Sequence, residues 1–184
     1  MMLSNEKLRV VLLTTHLPLK EVPKEVKKEK ILQKLKLIGR ELPHLKVGVC
    51  ALNPHGGEGG LFGREEIEEI EPAVKEAQAQ GLKVEGPFPS DTLFTRAVRG
   101  EFGVILAMYH DQGLIPVKLL GFGKSVNTTL GLPIVRTSVD HGTAYDIAGK
   151  GAADEESFKL AVKEALRLLK ERSLLEYRNK NQNS

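Results

Sequence analysis

Three short apolar runs in this chain each lead into a histidine. Residues 8–15 (LRVVLLTT) precede His16, residues 46–54 (KVGVCALNP) precede His55, and residues 102–109 (FGVILAMY) precede His110. A lone histidine after a strand is more often a satisfied polar residue than a ligand. Three in equivalent places could converge on one metal ion, because imidazole is the commonest metal ligand. Their separations, 39 and 55 residues, match no zinc-finger spacing and suit an open catalytic site built from distant loops. Asp111 follows His110 in YHDQG (109–113) and could bind metal, orient the histidine, act as a base, or cap a turn. Lys118, Lys124 and Arg136 lie in an apolar, glycine-containing stretch. They could meet a phosphate or carboxylate, arginine in a bidentate way; solvated surface charge is the plainer reading of Lys124. Asn127 could donate to a substrate oxygen or fill a turn. NPHGGEGG (53–60) could cradle an anion with its backbone amides or be a flexible turn. DHGTAYDIAGKG (140–151) has little periodicity and reads as a shaped binding loop or an ordinary connection, and His44 beside Pro43 as structural or surface.

Elements must place these groups. Short, continuous apolar runs read as strands buried on both faces, as in a parallel sheet covered by helices. In open sheets of that kind ligands gather at the carboxyl ends of the strands. Between the runs, residues 24–40 space apolar residues at a helical period, and residues 65–80 predict a second helix with a kink or restart at Pro72. Residues 82–84 predict a short strand, and Asp91 an N-cap for a helix over 92–99. Residues 111–116 read as a loop and 117–136 as irregular. The last helix follows Asp154, with Phe158, Ala161, Val162, Ala165, Leu166 and Leu169 on one face, and the polar tail 179–184 is expected to fray. Strand and helix alternate, so the fold class is α/β, a layered sheet of parallel strands with flanking helices.

Bulk properties narrow the function classes. The 184 residues suit one domain or slightly more, with 41% hydrophobic and 28% charged residues. A net charge of +3, with both signs interspersed, argues against a nucleic-acid or membrane surface as the main partner. Cys50, the single cysteine, excludes a disulfide framework and reads as a buried thiol in a reducing, cytoplasmic setting. No apolar run is long enough to span a bilayer, and no signal peptide precedes the first strand.

Longer motifs add a family. TTHLPL (14–19), LNPHGGEGGLFGREE (52–66), PSDTLF (89–94), MYHDQGLIPVKLLGFG (108–123) and VNTTLGLPIVRTSVDHGTAYDIAGKG (126–151) closely resemble the PdxA family of 4-hydroxythreonine-4-phosphate dehydrogenases, from pyridoxal phosphate (vitamin B6) biosynthesis. The resemblance runs from the first strand into the last helix, and it implies an isocitrate/isopropylmalate dehydrogenase-like fold. It implies a divalent metal (zinc, cobalt, magnesium or manganese) held by His16, His55 and His110, the third histidine coming from the partner subunit of a homodimer. Lys118, Asn127 and Arg136 would contact a small phosphorylated substrate. Asp91, Asp111 and Lys118 would be catalytic. His141, Gly142, Thr143, Ala144 and Asp146, in the loop 141–149, would hold the adenosine side of NAD or NADP. The implied reaction is NAD-dependent oxidation of 4-phosphooxy-L-threonine, with decarboxylation to 3-amino-2-oxopropyl phosphate. Alternatives are a dehydrogenase of threonate or erythronate 4-phosphate or of an aromatic dihydrodiol, or a non-catalytic metal-binding fragment. Family members are nearly twice this length and carry GPVxK-like and GHTE-like segments ahead of the matching part. The chain is therefore expected to correspond to the carboxyl-terminal half, incomplete at its N-terminus. Residues to about 125 would form a metal and substrate part, and 126–184 the cofactor loop and terminal helix.

Overall fold

The apolar runs become the centre of a sheet. A computed structural model describes residues 1–121 and 123–182. Its strands are β1 (Met2–Ser4), β2 (Arg9–Leu12), β3 (Val47–Cys50), β4 (Val84–Phe88), β5 (Val104–Ala107), β6 (Val126–Thr129) and β7 (Arg136–Val139). Its α-helices are α1 (Val22–Glu25), α2 (Lys28–Glu41), α3 (Glu71–Ala79), α4 (Ser90–Val98), α5 (His110–Gly121) and α6 (Glu156–Gln182). The strand order is β4-β3-β5-β2-β1-β6-β7. β2, β5, β3 and β4 run parallel, whereas β1 pairs antiparallel with β2 and β6, and β6 with β7.

Side chains alternate across a strand, so each run feeds two cores. Val11, Val49, Val104 and Leu106 pack with Ile31, Leu35 and Ile38 of α2 and with Ala73, Val74 and Ala77 of α3. Val10, Leu12, Ile105 and Ala107 pack on the opposite face with Leu93 and Ala97 of α4 and Leu114 and Val117 of α5. The expected layered α/β sheet is therefore present, with every residue of β3 and β5 buried. Cys50 is buried as expected, and burial pushes its thiol up to about 12. Among the described residues, no helix is long and apolar enough to cross a membrane.

Several local readings need correction. β1 precedes the strand expected to be first; its three residues carry too short a pattern to announce a strand, and all are buried by pairing on both sides. Residues 111–116 are helical, not a loop. Gly113 is buried against the sheet, and Pro116 is carried within α5. The irregular stretch 117–136 contains the end of α5 and all of β6, whose polar VNTT sequence hides its strand character. Asp91 is not the N-cap of α4; Pro89 holds that position and Asp91 sits in the first turn. Pro72 does mark a restart: a π turn over Glu66–Ile70 hands over to α3 there. Asp154 sits just ahead of α6, as expected of a capping residue, its Oδ1 accepting the Glu156 N–H at 2.9 Å. The apolar stripe of α6 is only partly covered, however: Ala161 is buried, while Phe158 is 64% and Leu166 62% exposed. The tail expected to fray is helical to Gln182, and residues 183–184 lie outside the described set.

Candidate functional site

Beyond their last residues, β2 and β5 stay stitched together. Leu13 N donates to the Ala107 carbonyl at 2.8 Å, and both the N–H and the buried hydroxyl of Thr14 donate to the Met108 carbonyl, the hydroxyl at 2.7 Å. This seam carries His16 beside His110, which opens α5; their ring centroids lie 5.5 Å apart at 42°. Asp111 Oδ1 lies 2.7 Å from Nδ1 of His110. A carboxylate on Nδ1 fixes the ring and leaves Nε2 as the outward lone pair, the arrangement common around metal-binding imidazoles.

His55 reaches the same end of the sheet by another route. After β3 the backbone turns left-handed through five successive residues, His55 to Gly59, with φ between +42° and +79°. Left-handed runs are disfavoured for L-residues, and the glycines make this one feasible. His55 is exposed and, with Asp91, Phe94, Tyr109, Asp111 and Gln112, lines an open cleft of about 620 Å³. The structure thus brings His16 to His110, and His55 to Asp91 and Asp111. Among the described residues, no three His, Cys, Asp or Glu side chains form a cluster able to hold a metal within one chain.

The remaining candidates divide. Lys118 lies on α5 with His110 and Asp111 along a second, smaller groove, and its Nζ is 3.6 Å from Asp140. Asp140 heads the 140–151 loop, and its N–H donates to Ser157 of α6 at 3.4 Å. His141, Gly142, Thr143, Ala144 and Asp146 are all exposed, and Ala144 is left-handed at φ +48°. Asn127 on β6 has a buried Oδ1 with no hydrogen-bond partner. Arg136 is not brought to the histidine cleft. Its guanidinium donates to Thr129 Oγ1 at 2.8 Å and borders a small separate cavity with Thr128, Leu168 and Arg172.

Sequence reasoning passed over Gln112 and Glu66. Gln112 Oε1 accepts the Met108 N–H at 2.6 Å, and its Nε2 donates to the Ala51 carbonyl and Ser90 Oγ, both at 2.7 Å. One amide thereby joins the ends of β3 and β5 to the start of α4. Its place inside YHDQG was the available signal, but no spacing rule shows which backbone an amide will reach. Glu66, inside the long 52–66 motif, reads as one more acidic residue of a helix start, yet it is buried.

The family model "Pyridoxal phosphate biosynthetic protein PdxA" matches residues 1–165. A 4-hydroxythreonine-4-phosphate dehydrogenase of Desulforapulum autotrophicum is 52% identical over 171 residues, covering 90% of this chain and 50% of its own length. A protein of Oceanobacillus iheyensis, provisionally named a D-threonate 4-phosphate dehydrogenase, is 51% identical over 174 residues, covering 91% of this chain and 52% of its own. The crystal structure of a 4-hydroxythreonine-4-phosphate dehydrogenase from Klebsiella pneumoniae superposes with a TM-score of 0.82 at 43% identity, over 91% of this chain and 53% of that one. The chain spans about half the length of the relatives it matches.

Proposed function

The chain belongs to the PdxA family of pyridoxal phosphate biosynthetic proteins; on that premise we propose that it forms the metal- and cofactor-binding part of a cytoplasmic, NAD-dependent dehydrogenase acting on 4-phosphooxy-L-threonine. The observation that carries this reading is the His16–His110 pair with Asp111 on Nδ1 of His110. Two adjoining imidazoles, one already oriented by a carboxylate, suit a divalent ion but leave it short of donors. His55 stands on an exposed turn, free to serve a second copy of the chain. The resemblance implies His110 as the partner's contribution; because His110 adjoins His16 within one chain, this reading instead gives each site of a homodimer His16 and His110 from one copy and His55 from the other. Exposed apolar side chains accompany both contributions: Leu61 and Phe62 beside the His55 turn, Ile115 and Leu119 on α5.

When bound, the metal supplies Lewis-acid polarisation of the substrate hydroxyl. Asp91 and Asp111 border the cleft, and either carboxylate can accept the hydroxyl proton. A nicotinamide held there would accept the hydride from the same carbon, and the resulting β-keto acid would lose carbon dioxide to give 3-amino-2-oxopropyl phosphate. Lys118 and Asn127 offer a cation and an amide to the phosphate and carboxylate, whereas Arg136 borders a separate cavity. The exposed loop 141–149, with His141, Gly142, Thr143, Ala144 and Asp146, takes the adenosine side of NAD or NADP. Residues to about 125 then serve metal and substrate, and residues from about 126 serve the cofactor.

The shared site has a direct test. His16→Ala and His55→Ala chains are purified, mixed, and assayed for zinc by native mass spectrometry. A heterodimer regains one complete site, so the mixture binds metal more tightly than either variant alone. No recovery on mixing overturns the assignment of His55 to the partner copy. The relative named for D-threonate 4-phosphate supports a second reading, with a sugar-acid phosphate as substrate. NADH absorbance with each phosphate ester separates the two.

A further inference from the structure

Glu66 is the one fully buried carboxyl or cationic side chain among the described residues, 2% exposed. It shares the inward face of its helical segment with Ile70, Ala73, Val74 and Ala77, all apolar. A carboxyl placed among such neighbours is costly unless hydrogen bonds replace the lost water. Every bond it makes goes to the two residues that lead into the His55 turn. Oε1 accepts the backbone N–H groups of Leu52 and Asn53, both at 2.8 Å. Oε2 accepts Asn53 Nδ2 at 2.9 Å, and that amide nitrogen also donates to Glu65 at 2.7 Å.

The same carboxyl closes the turn from inside. A Cβ on Gly57, which is buried at φ +79°, would lie 2.6 Å from Glu66 Oε2 and 3.2 Å from the Gly63 carbonyl. The chain therefore wraps the carboxyl so closely that only a hydrogen fits between them. Left-handed backbone persists where its surroundings over-determine it, and here Glu66 is the determinant within reach. The π turn over Glu66–Ile70 places an irregular helical turn at this point, a feature often found beside functional sites.

We infer that Glu66 is a positioning residue: through Leu52 and Asn53 it fixes the left-handed turn and so sets where His55 points. It touches neither substrate nor metal. The inference rests on the reading of His55 as a metal donor for its effect on binding, and on the geometry alone for its effect on the turn.

The test uses Glu66→Gln, which keeps the volume but turns an NH₂ group toward Asn53 Nδ2, donor against donor. Cobalt(II) is titrated into the full chain and followed by its visible absorption, in wild type, Glu66→Gln, His55→Ala and the double variant. A residue acting through His55 weakens cobalt binding about tenfold or more when His55 is present and adds no loss when it is absent. Unchanged affinity in Glu66→Gln overturns the inference, as does the same loss in both backgrounds. Amide exchange in the metal-free chain gives an independent readout. Gly56 N–H and Phe62 N–H bond within the turn, and both should exchange about tenfold faster in Glu66→Gln while Leu106 in β5 does not change. Unaltered exchange at these two amides, or faster exchange throughout, overturns the inference even where cobalt does not bind. A wild type that takes up no cobalt, with selective loosening of the turn, removes the metal reading and leaves the positioning role standing. Should Glu66→Gln fail to fold, Glu66→Asp, which draws the carboxyl back by one methylene, undergoes the same measurements.

Discussion

Gln112 shows how much of the site depends on residues that perform no chemistry. Its amide satisfies the Met108 N–H, the Ala51 carbonyl and the Ser90 hydroxyl at once. These three lie just ahead of Tyr109 and His110, ahead of the His55 turn, and beside Asp91. Gln112→Ala leaves partly buried polar groups without partners, which should cost about 1–3 kcal/mol in urea unfolding. Because one amide holds three loops, metal affinity should fall as well, and zinc titration reads that loss. The plain alternative, a glutamine that only fills the cleft wall, predicts lost stability with affinity intact. At this scale the sequence was generous with the chemical groups and silent about their supports. His16, His55 and His110 stand out by type and by place after apolar runs, and Asp111 by its place beside His110, because metal and proton chemistry require particular atoms; Asp91 reads from the residues only as an N-cap and joins them through the family resemblance. Gln112 and Glu66 work through ordinary hydrogen bonds to distant backbone, and nothing in residue type marks which amide or carboxyl will do so.

At the scale of elements, strength of pattern decided what could be read. β2, β3 and β5 were legible because strands buried on both faces require unbroken apolar sequence. β1 and β6 were not, since three or four residues with polar members carry almost no periodicity. α5 was misread because local propensity lost to packing. A Cβ on Gly113 would lie 2.6 Å from Leu12 Cδ2, 2.8 Å from Val10 Cγ1 and 3.1 Å from Ala107 Cβ, so the glycine lets the helix rest on the sheet. Gly113→Ala gains helix propensity, worth about 1 kcal/mol at most, but must displace Leu12 and Val10. The overpacking term, about 1–3 kcal/mol, should win, giving a net loss of stability measurable by urea unfolding. A more stable variant would show that the sheet yields more easily than its packing suggests. The opposite face depends on charge. Lys27 and the Lys28 N–H hold Glu69, and Lys28 holds Glu76, across the α2–α3 contact. The hydrogen bond from Lys27 holds the Glu69 carboxyl below the usual glutamate range, and the bond from Lys28 does the same for Glu76. A depressed carboxyl stabilises the fold above its unfolded value and loses that contribution as pH falls through its folded value. The melting temperature should therefore drop on acidification from about pH 5 to pH 3. The Glu69→Gln, Glu76→Gln double variant should start lower and drop less, and a parallel decline in both proteins would remove these pairs as the cause.

At the scale of the whole molecule, the sheet joins a parallel part, β4-β3-β5-β2, to an antiparallel part, β1-β6-β7, which α6 covers on one side. The described structure ties α6 down through Thr137 Oγ1, which donates to the Ala161 carbonyl, and through Arg172, which donates to Glu41 of α2. Ala161 and Leu168 face inward, while Phe158, Val162, Leu166 and Leu169 form a second apolar stripe that faces out. The sequence announced this helix clearly, but periodicity reports only that an apolar face exists, never that something covers it. A contiguous exposed stripe of this kind favours association in water. Phe158→Glu with Leu166→Glu should therefore reduce concentration-dependent association in size-exclusion light scattering. Each side chain is already mostly in solvent, so unfolding free energy should move by no more than about 0.5 kcal/mol per site. The His55 turn and α5 are untouched by these changes, so a dimer built on the shared histidine site should survive the double variant while larger species disappear. If the dimer is lost instead, α6 and not the histidine cleft holds the two copies together, and the shared site must be sought elsewhere.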